Sequence, residues 1–496
     1  MIHYIKIIFL ILPSFLFSET TISGDINFYS AFRSSNSELI RLPYRLSNIN
    51  IINAKNDLQF NTTISIEHNI KKGIERLDDS NVQDFLIDIR ELYITFYNNI
   101  GEFKIGKQIH SWGMVDENSP LDNINAYDYY YLFLGGSDRK IGSFSSSFEI
   151  YYNDWKLGTH FSPVHNTNRI PIDDPYFPIE LAALPPSNQI ITSSKNKLEF
   201  GGYIQKSFSN SDFRLSYFDG YDRLFNFSGL NIFQSMYAAS LTDMNDVEVD
   251  IVYSYRKTKM IGFGSTILFD NMVLRSDLGY FKTKDQNENI IRENPNYDGN
   301  PVFGYPEIAW ISLLDSTLHT YPMKEQAEYL QYTIQLEYQL PYEINSVVQI
   351  AGYDLNFYES ENYELPDPDE VSIPQYEGDE LPEIDPKKIF TPGMGTSIST
   401  LTSKALILNF QRRFFQDRLN INFLSLLDIN NSQLKISNDV SNLREISFEY
   451  KVSDGFKVLG AINKITGDKN HEDGTDYTFN QMENFSHYRL EIKYYF

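Results

Sequence analysis

The 496-residue chain contains no cysteine. A disulfide-stapled secreted scaffold, a thiolate metal centre and a Cys-anchored lipoprotein are thereby excluded. Beyond its first twenty residues it has no run of about 18 to 20 apolar residues, so no helical membrane span is expected. Tryptophan is scarce, with 3 residues against 35 Tyr and 36 Phe. Cations are few: 42 Lys and Arg face 66 Asp and Glu, a formal net charge of −24. That excess opposes nucleic-acid binding, which rests on cation–phosphate contacts, so no nucleic-acid partner is expected. Catalytic motifs are missing as well. The histidines are scattered, with no His-Glu-x-x-His and no Gly-x-Ser-x-Gly. Ser486 and His487 are neighbours in a strand pattern and face opposite sides, so they form no catalytic pair. The acidic run Asp367, Asp369, Glu370 lacks the glycine and spacing of a calcium loop and reads as solvated charge. No catalytic residue, metal or cofactor is expected, and no enzymatic activity.

What the chain does have is alternation. The last ten residues read HYRLEIKYYF. Tyr488, Leu490, Ile492, Tyr494 and Phe496 fall on one face, and mostly charged residues on the other, the signature of a β-strand. The pattern recurs at 57–67, 329–340 and 445–452. A packed core would not tolerate the polar faces; a water-filled lumen would, with the apolar faces toward lipid. Mean hydropathy is that of a water-soluble chain because lumen and lipid positions average out. Tyr and Phe suit the aromatic girdles at the two membrane interfaces.

Residues 1–18 read as a signal peptide: Lys6, an apolar stretch from Ile7 to Phe17, then the small Ser18. Residues 19–496 then form one domain, an all-β transmembrane antiparallel barrel of about 18 strands, with 16 as the alternative count. Strands are expected near 21–33, 44–54, 57–68, 87–98, 101–110, 143–152, 154–162, 196–208, 211–219, 248–270, 272–284, 325–340, 344–358, 398–415, 418–430, 441–452, 454–466 and 483–496. Tight Asn, Asp and Gly turns alternate with long polar connections at 70–86, 111–142, 163–195, 220–246, 285–324, 359–397 and 467–481. An even strand number puts both termini on the periplasmic side.

The most distinctive stretch runs GKQIHSWGMVDENSPLDNINAYDYYYLFLGGSDRKIG from Gly106. With Arg90-Glu91-Leu92-Tyr93 before it and Pro163 to Pro171 after it, it resembles the signature of a poorly characterised family of outer-membrane porin-like barrels. The resemblance covers about 87–171, and departs from the family pattern where Ser119-Pro120 and Asn125-Ala126 replace Asn-Pro. It implies the outer membrane of a Gram-negative-type bacterium and passage or binding of some solute, which it does not name. The terminal Phe496 strand also resembles that of bacterial outer-membrane proteins, which implies recognition by the barrel assembly machinery through Tyr488, Leu490, Ile492, Tyr494 and Phe496.

A loop as long as 111–142 is expected to be folded and functional; folding inward would constrict a pore, and the alternative is an extracellular flap, with 163–195 then the segment to fold inward. The candidate constriction residues are Lys104, Gln108, His110, Trp112, Asp116, Asp122, Asp128, Arg139 and Lys140. Three acids against Arg139 and Lys140 make a weakly cation-preferring constriction the expectation. Lys107 alternates with Phe103 and Ile105 and should face lipid, so it needs an interfacial position or a bulge. Lumen positions mix signs: Asp57, Glu67, Arg90, Glu91, Arg214, Arg275, Asp277, Glu337, Glu445, Glu449, Lys451, Arg489, Glu491 and Lys493. The expected function is a porin passing small solutes by diffusion, with outer-membrane lipids as partners. A polysaccharide-export-like barrel and a surface-binding or adhesion barrel with an occluded lumen are the alternatives. Solute identity and oligomeric state are not encoded in any legible motif.

Overall fold

The structure is a computed structural model that describes residues 19–69, 85–132, 139–171, 174, 176–179, 197–234, 247–286, 290–292, 317–361, 390–430, 440–471 and 473–496. The expected signal peptide, the acidic run at 367–370 and most of 359–397 lie outside the described residues.

In chain order the strands are β1 (Glu19–Arg33), β2 (Tyr44–Lys55), β3 (Leu58–His68), β4 (Phe85–Asn98), β5 (Gly101–Gln108), β6 (Ala126–Tyr127) and β7 (Lys140–Ile141). Then follow β8 (Ser143–Tyr152), β9 (Trp155–Ser162), β10 (Glu199–Ser207), β11 (Ser211–Tyr221), β12 (Asn226–Gln234), β13 (Val247–Ser254), β14 (Lys257–Leu268) and β15 (Met272–Lys284). The last are β16 (Thr317–Pro322), β17 (Gln326–Leu340), β18 (Ile344–Glu359), β19 (Lys404–Phe414), β20 (Leu419–Asp428), β21 (Asn442–Ser453), β22 (Phe456–Thr466) and β23 (His487–Tyr495).

Eighteen of these form one antiparallel sheet that closes on itself. The closure is β1 against β23, in register from Asp25↔Tyr495 to Arg33↔His487. Phe496 extends it: Gly24 N–H donates to the Phe496 carbonyl at 2.9 Å, and Phe496 N–H to that of Gly24 at 3.0 Å. Closure removes the free edges that lipid cannot hydrogen-bond. Short turns gather at one end; Asn56 and Asn153 there adopt φ of 53° and 50°, the left-handed region that Asn tolerates. The described parts of the long connections lie at the other end.

The alternation decides the faces. Ile261 is 63 % exposed, Leu215 56 % and Ile334 45 %, all pointing outward, while the intervening Met260, Ser216 and Gln335 are buried. So broad an exposed apolar band suits hydrocarbon and not water.

Two regions differ from the sequence-based expectation. The stretch 248–270 is two strands: β14 belongs to the barrel, whereas β13 pairs with β12, and β12 with β16, in a separate three-stranded sheet at the long-loop end, so the expected connections 220–246 and 285–324 each contain a strand. The break falls at Tyr255–Arg256. The Arg256 guanidinium turns inward to Asp222 at 2.7 Å, Glu325 at 2.5 Å and the Thr391 carbonyl at 2.7 Å. Residues 398–403 are not strand. Thr396 caps a short 3-10 helix, Ser397–Thr400, by accepting from Ile398 N–H, and β19 starts only at Lys404.

Candidate functional site

The lumen is not uniformly wet. Residues 111–132 enter it and lie against the wall from β11 to β18. Asp277, fully buried on β15, anchors the loop root: it accepts from Met114 N–H at 2.8 Å, Val115 N–H at 3.0 Å and Ser119 Oγ at 2.7 Å. Further along, Asn118 Nδ2 donates to Gln349 Oε1 at 2.8 Å, and Thr333 Oγ1 to the Asn118 carbonyl at 2.6 Å. The approach is close enough to need glycine on the wall. A Cβ on Gly264 would sit 2.6 Å from Met114 and 2.7 Å from an Asp277 oxygen.

Two apolar clusters then fill lumen space. One joins Trp112, Leu121 and Ile124 of the loop to Phe218, Met260, Phe281 and Tyr329 of the wall and to Phe390 and Met394. The other joins Tyr127, Tyr129 and Leu132 to Ala31, Ala351 and Ala405, with Ile398, Leu401, Phe479 and Phe485. Tyr329, Phe218 and Phe281 occupy inward positions in strands whose inward faces are otherwise polar, and that is the signal in the sequence for a filled sector.

The expected constriction residues separate by role. Trp112 is buried: its ring packs edge-on to Tyr203 at 5.4 Å, and its carbonyl accepts from Arg214 Nη1 at 2.5 Å. Asp122 accepts from Trp112 and Gly113 N–H and holds Lys140 Nζ at 2.9 Å. Asp116 accepts from Gln335 Nε2 at 2.8 Å, and Arg139 lies 3.5 Å from Glu117. Gln108 donates to the Ser145 carbonyl at 2.9 Å. His110 contacts Ser145 Oγ at 3.0 Å, and its ring meets His160 edge-on. Lys104 pairs with Glu102 on its own strand at 2.9 Å. Each loop acid named thus has a protein partner, so the loop's own count of charges does not set the field of a passage.

Several wall charges are paired: Arg275 with Glu337 at 2.6 Å, Lys457 with Glu449 at 2.9 Å and Arg489 with Glu445 at 2.9 Å across strands, and Arg489 with Glu491 of its own strand at 3.3 Å. Lys107 does lie on the outer face. Its Nζ donates to Asp88 at 3.2 Å and to the Ile89 carbonyl at 2.5 Å, one residue from the end of β5 and beside the point where β3 and β4 shift register. A partnered, near-terminal lysine costs far less than one in mid-hydrocarbon.

The open space lies elsewhere, against β1–β4 and β23. There a cavity of about 560 Å³ is lined by Asp25, Arg45, Arg90, Glu91, Glu491 and Lys493, with Asn27, Asn48, Asn50, Tyr29 and Tyr44 between them and Ile109 and Tyr131 on the loop side. Three cations face three anions. The loop presents Tyr131 to it from a short 3-10 helix, Tyr129–Tyr131, capped by Asp128. The Arg45 guanidinium sits over the Tyr131 ring, 3.9 Å from its centroid. Tyr131 Oη donates to Glu67 at 2.7 Å. Arg169 clamps Glu67 with two bonds of 2.8 Å and reaches Asp128 at 3.1 Å. Burial raises the Tyr131 hydroxyl well above its ordinary range, and neighbouring Glu67 adds to this, so the ring stays neutral. Burial also raises the Asp128 carboxyl, opposed by Arg169 and Arg45. Arg45, Tyr131 and Arg169 were not among the candidates. Pattern reading marks a face, not which loop residue will meet it.

No protein-family model matches this sequence, and no curated relative matches it. Solved structures do. The chain is similar to OpdK of Pseudomonas aeruginosa bound to vanillate, at 9 % identity and a TM-score of 0.46, covering 96 % of this chain and 98 % of that one. It is similar to OccAB3 of Acinetobacter baumannii, at 9 % identity and a TM-score of 0.45, with 97 % and 99 % covered. OmpT, an outer-membrane protein of Vibrio cholerae, aligns at 8 % identity and a TM-score of 0.37 over 97 % and 98 %.

Proposed function

We propose that this chain is an outer-membrane channel through which small polar solutes diffuse. The passage runs along the β1–β4 and β23 wall, narrowed by Tyr131 over Arg45. One observation carries the reading: a polar cavity of about 560 Å³ inside a closed barrel whose exterior is an apolar band. Alternating signs along such a wall orient polar solutes without holding them. Both termini are taken to be periplasmic, where short turns belong, and the terminal strand to be read by the assembly machinery. The chemistry offered is positioning and electrostatics alone, with no reaction. A polysaccharide exporter for acidic chains would need a cationic passage, which three anions among six charges do not supply.

A second reading has its own support. The two apolar clusters fill enough of the lumen that an occluded barrel, binding ligands through its loops, is the competing function. Conductance in planar bilayers separates the two. Stable ohmic steps that respond to Arg45→Glu by a shift in reversal potential support the channel; a silent, correctly folded barrel supports the occluded one.

A further inference from the structure

On the outer face of the barrel, at the long-loop end, two pairs of lysines stand directly opposite one another. Lys257 faces Lys284, and Lys259 faces Lys282, across β14 and β15. All four lie on the outward side: Lys259, Lys282 and Lys284 are exposed and Lys257 half-buried, while the intervening Thr258, Met260, Phe281 and Thr283 are buried. Like charges in register weaken a strand pair. Asp219 sits 2.5 Å from Lys257 and 3.8 Å from Lys259, and Glu328 2.6 Å from Lys282. Four lysines against two carboxylates leave two positive charges in excess, on a chain whose formal net charge is −24. Lys284 makes no ion pair among the described residues.

Their height matters. The row just below them pairs Ile261 with Tyr280, 63 % and 40 % exposed, the upper border of the apolar band. At ~3.4 Å per residue the two lysine rows stand ~7 and ~14 Å further along the strands, and a strand tilt of about 40° makes this ~5 and ~10 Å of height, within and at the outer edge of the headgroup layer.

We propose that this patch binds the phosphates of phosphorylated glycolipid headgroups in the membrane leaflet at the long-loop end. The inference rests on the membrane placement given above. Charge complementarity names the ligand: clustered ammonium groups at headgroup depth match phosphate, and a phosphate layer supplies the counter-charge that two in-register lysine pairs lack. Tyr280, which donates to Glu328, helps hold that carboxylate beside Lys282; Lys259, 3.8 Å from Asp219, and Lys284 then carry most of the uncompensated charge.

The test uses the full chain refolded in neutral detergent, with bound lipid counted by native mass spectrometry. The probes are bis-phosphorylated lipid A and the same lipid stripped of phosphate. The phosphorylated lipid should be retained at least about tenfold more tightly, and the quadruple variant K257Q/K259Q/K282Q/K284Q should abolish the difference. Excess inorganic phosphate should leave retention unchanged; full competition would mean a site for free phosphate and overturn the lipid assignment. Equal retention of both lipids, or undiminished preference in the variant, also overturns it. Should the quadruple variant not fold, K259Q/K284Q decides by the same criterion, because those two lysines make the weakest protein contacts of the four. A purely structural role predicts that K259Q/K284Q lowers the melting temperature in detergent alone. The proposal predicts no loss there, since repulsion is relieved, and a loss only of the rise that lipid A confers. If the patch fails while the barrel still inserts and conducts, the channel reading stands; if the barrel does not enter bilayers, that reading fails first.

Discussion

Tyr131 shows how much a single residue can decide. It is held from two sides, by Glu67 on its hydroxyl and Arg45 on its face. Replacing it with alanine removes the ring from the passage and uncovers the guanidinium. Single-channel recordings of Tyr131→Ala should show conductance raised, by about twofold, with selectivity moved toward anions, since Arg45 then faces solvent in a confined space. Unchanged conductance would place the narrowest point elsewhere. His165 gives a prediction of another kind. Burial, and the Arg223 guanidinium next, hold its imidazole down at about 2, and it contacts the Asp222 carbonyl at 2.9 Å. The folded state therefore keeps it neutral. For a base whose folded value is depressed, stability is complete above the unfolded value, about 6.5, and falls as acid protonates the unfolded form. Melting temperatures at pH 7.5 and 5.5 should differ less in His165→Gln than in the parent. An equal drop in both would show that His165 contributes nothing to acid sensitivity.

Elements are where the sequence was most legible and also where it misled. Strict alternation in β17 and β23 located both strands to within a few residues, because a barrel wall needs every second residue on lipid. The same rule could not say which sheet a strand joins. Val249, Ile251 and Tyr253 alternate as well as Ile261 and Phe263 do, yet β13 leaves the barrel at the inward turn of Arg256. Nor could it separate the Ser and Thr of 398–403 from strand, since that choice is made by a side-chain cap. Loop 111–142 was recognisable as an ordered element from its length and its Asn, Asp and Pro content. Its partner was not, because Asp277 lies some 160 residues away and looks like any other lumen charge. Asp277→Ala would leave three loop donors unpaired at about 1–3 kcal/mol each. Limited proteolysis of the folded variant should then cut within 112–130, where the parent resists. Deleting 118–127 together with Asp277→Asn should enlarge conductance and leave the barrel intact, because the segment pairs with no barrel strand. A loss of the folded barrel instead would show that the loop is part of its core.

For the whole molecule, closure is the step on which the rest depends. The last residue takes part in it: Phe496 exchanges two backbone bonds with Gly24, and its ring lies over that glycine. Removing Phe496 should lower the level of folded barrel in outer-membrane fractions well below that of the full chain; equal levels would mean that closure and recognition do not need it. The closed wall carries an apolar exterior and encloses a lumen that is part packed and part open, and the functional claim concerns only the open part. Recording single barrels in a planar bilayer under opposed salt gradients tests that claim most directly. The account predicts stable ohmic steps whose reversal potential moves toward cation preference when Arg45→Glu reverses one charge on the passage. A folded, inserted barrel that passes no current, or one whose selectivity ignores Arg45→Glu, would contradict it.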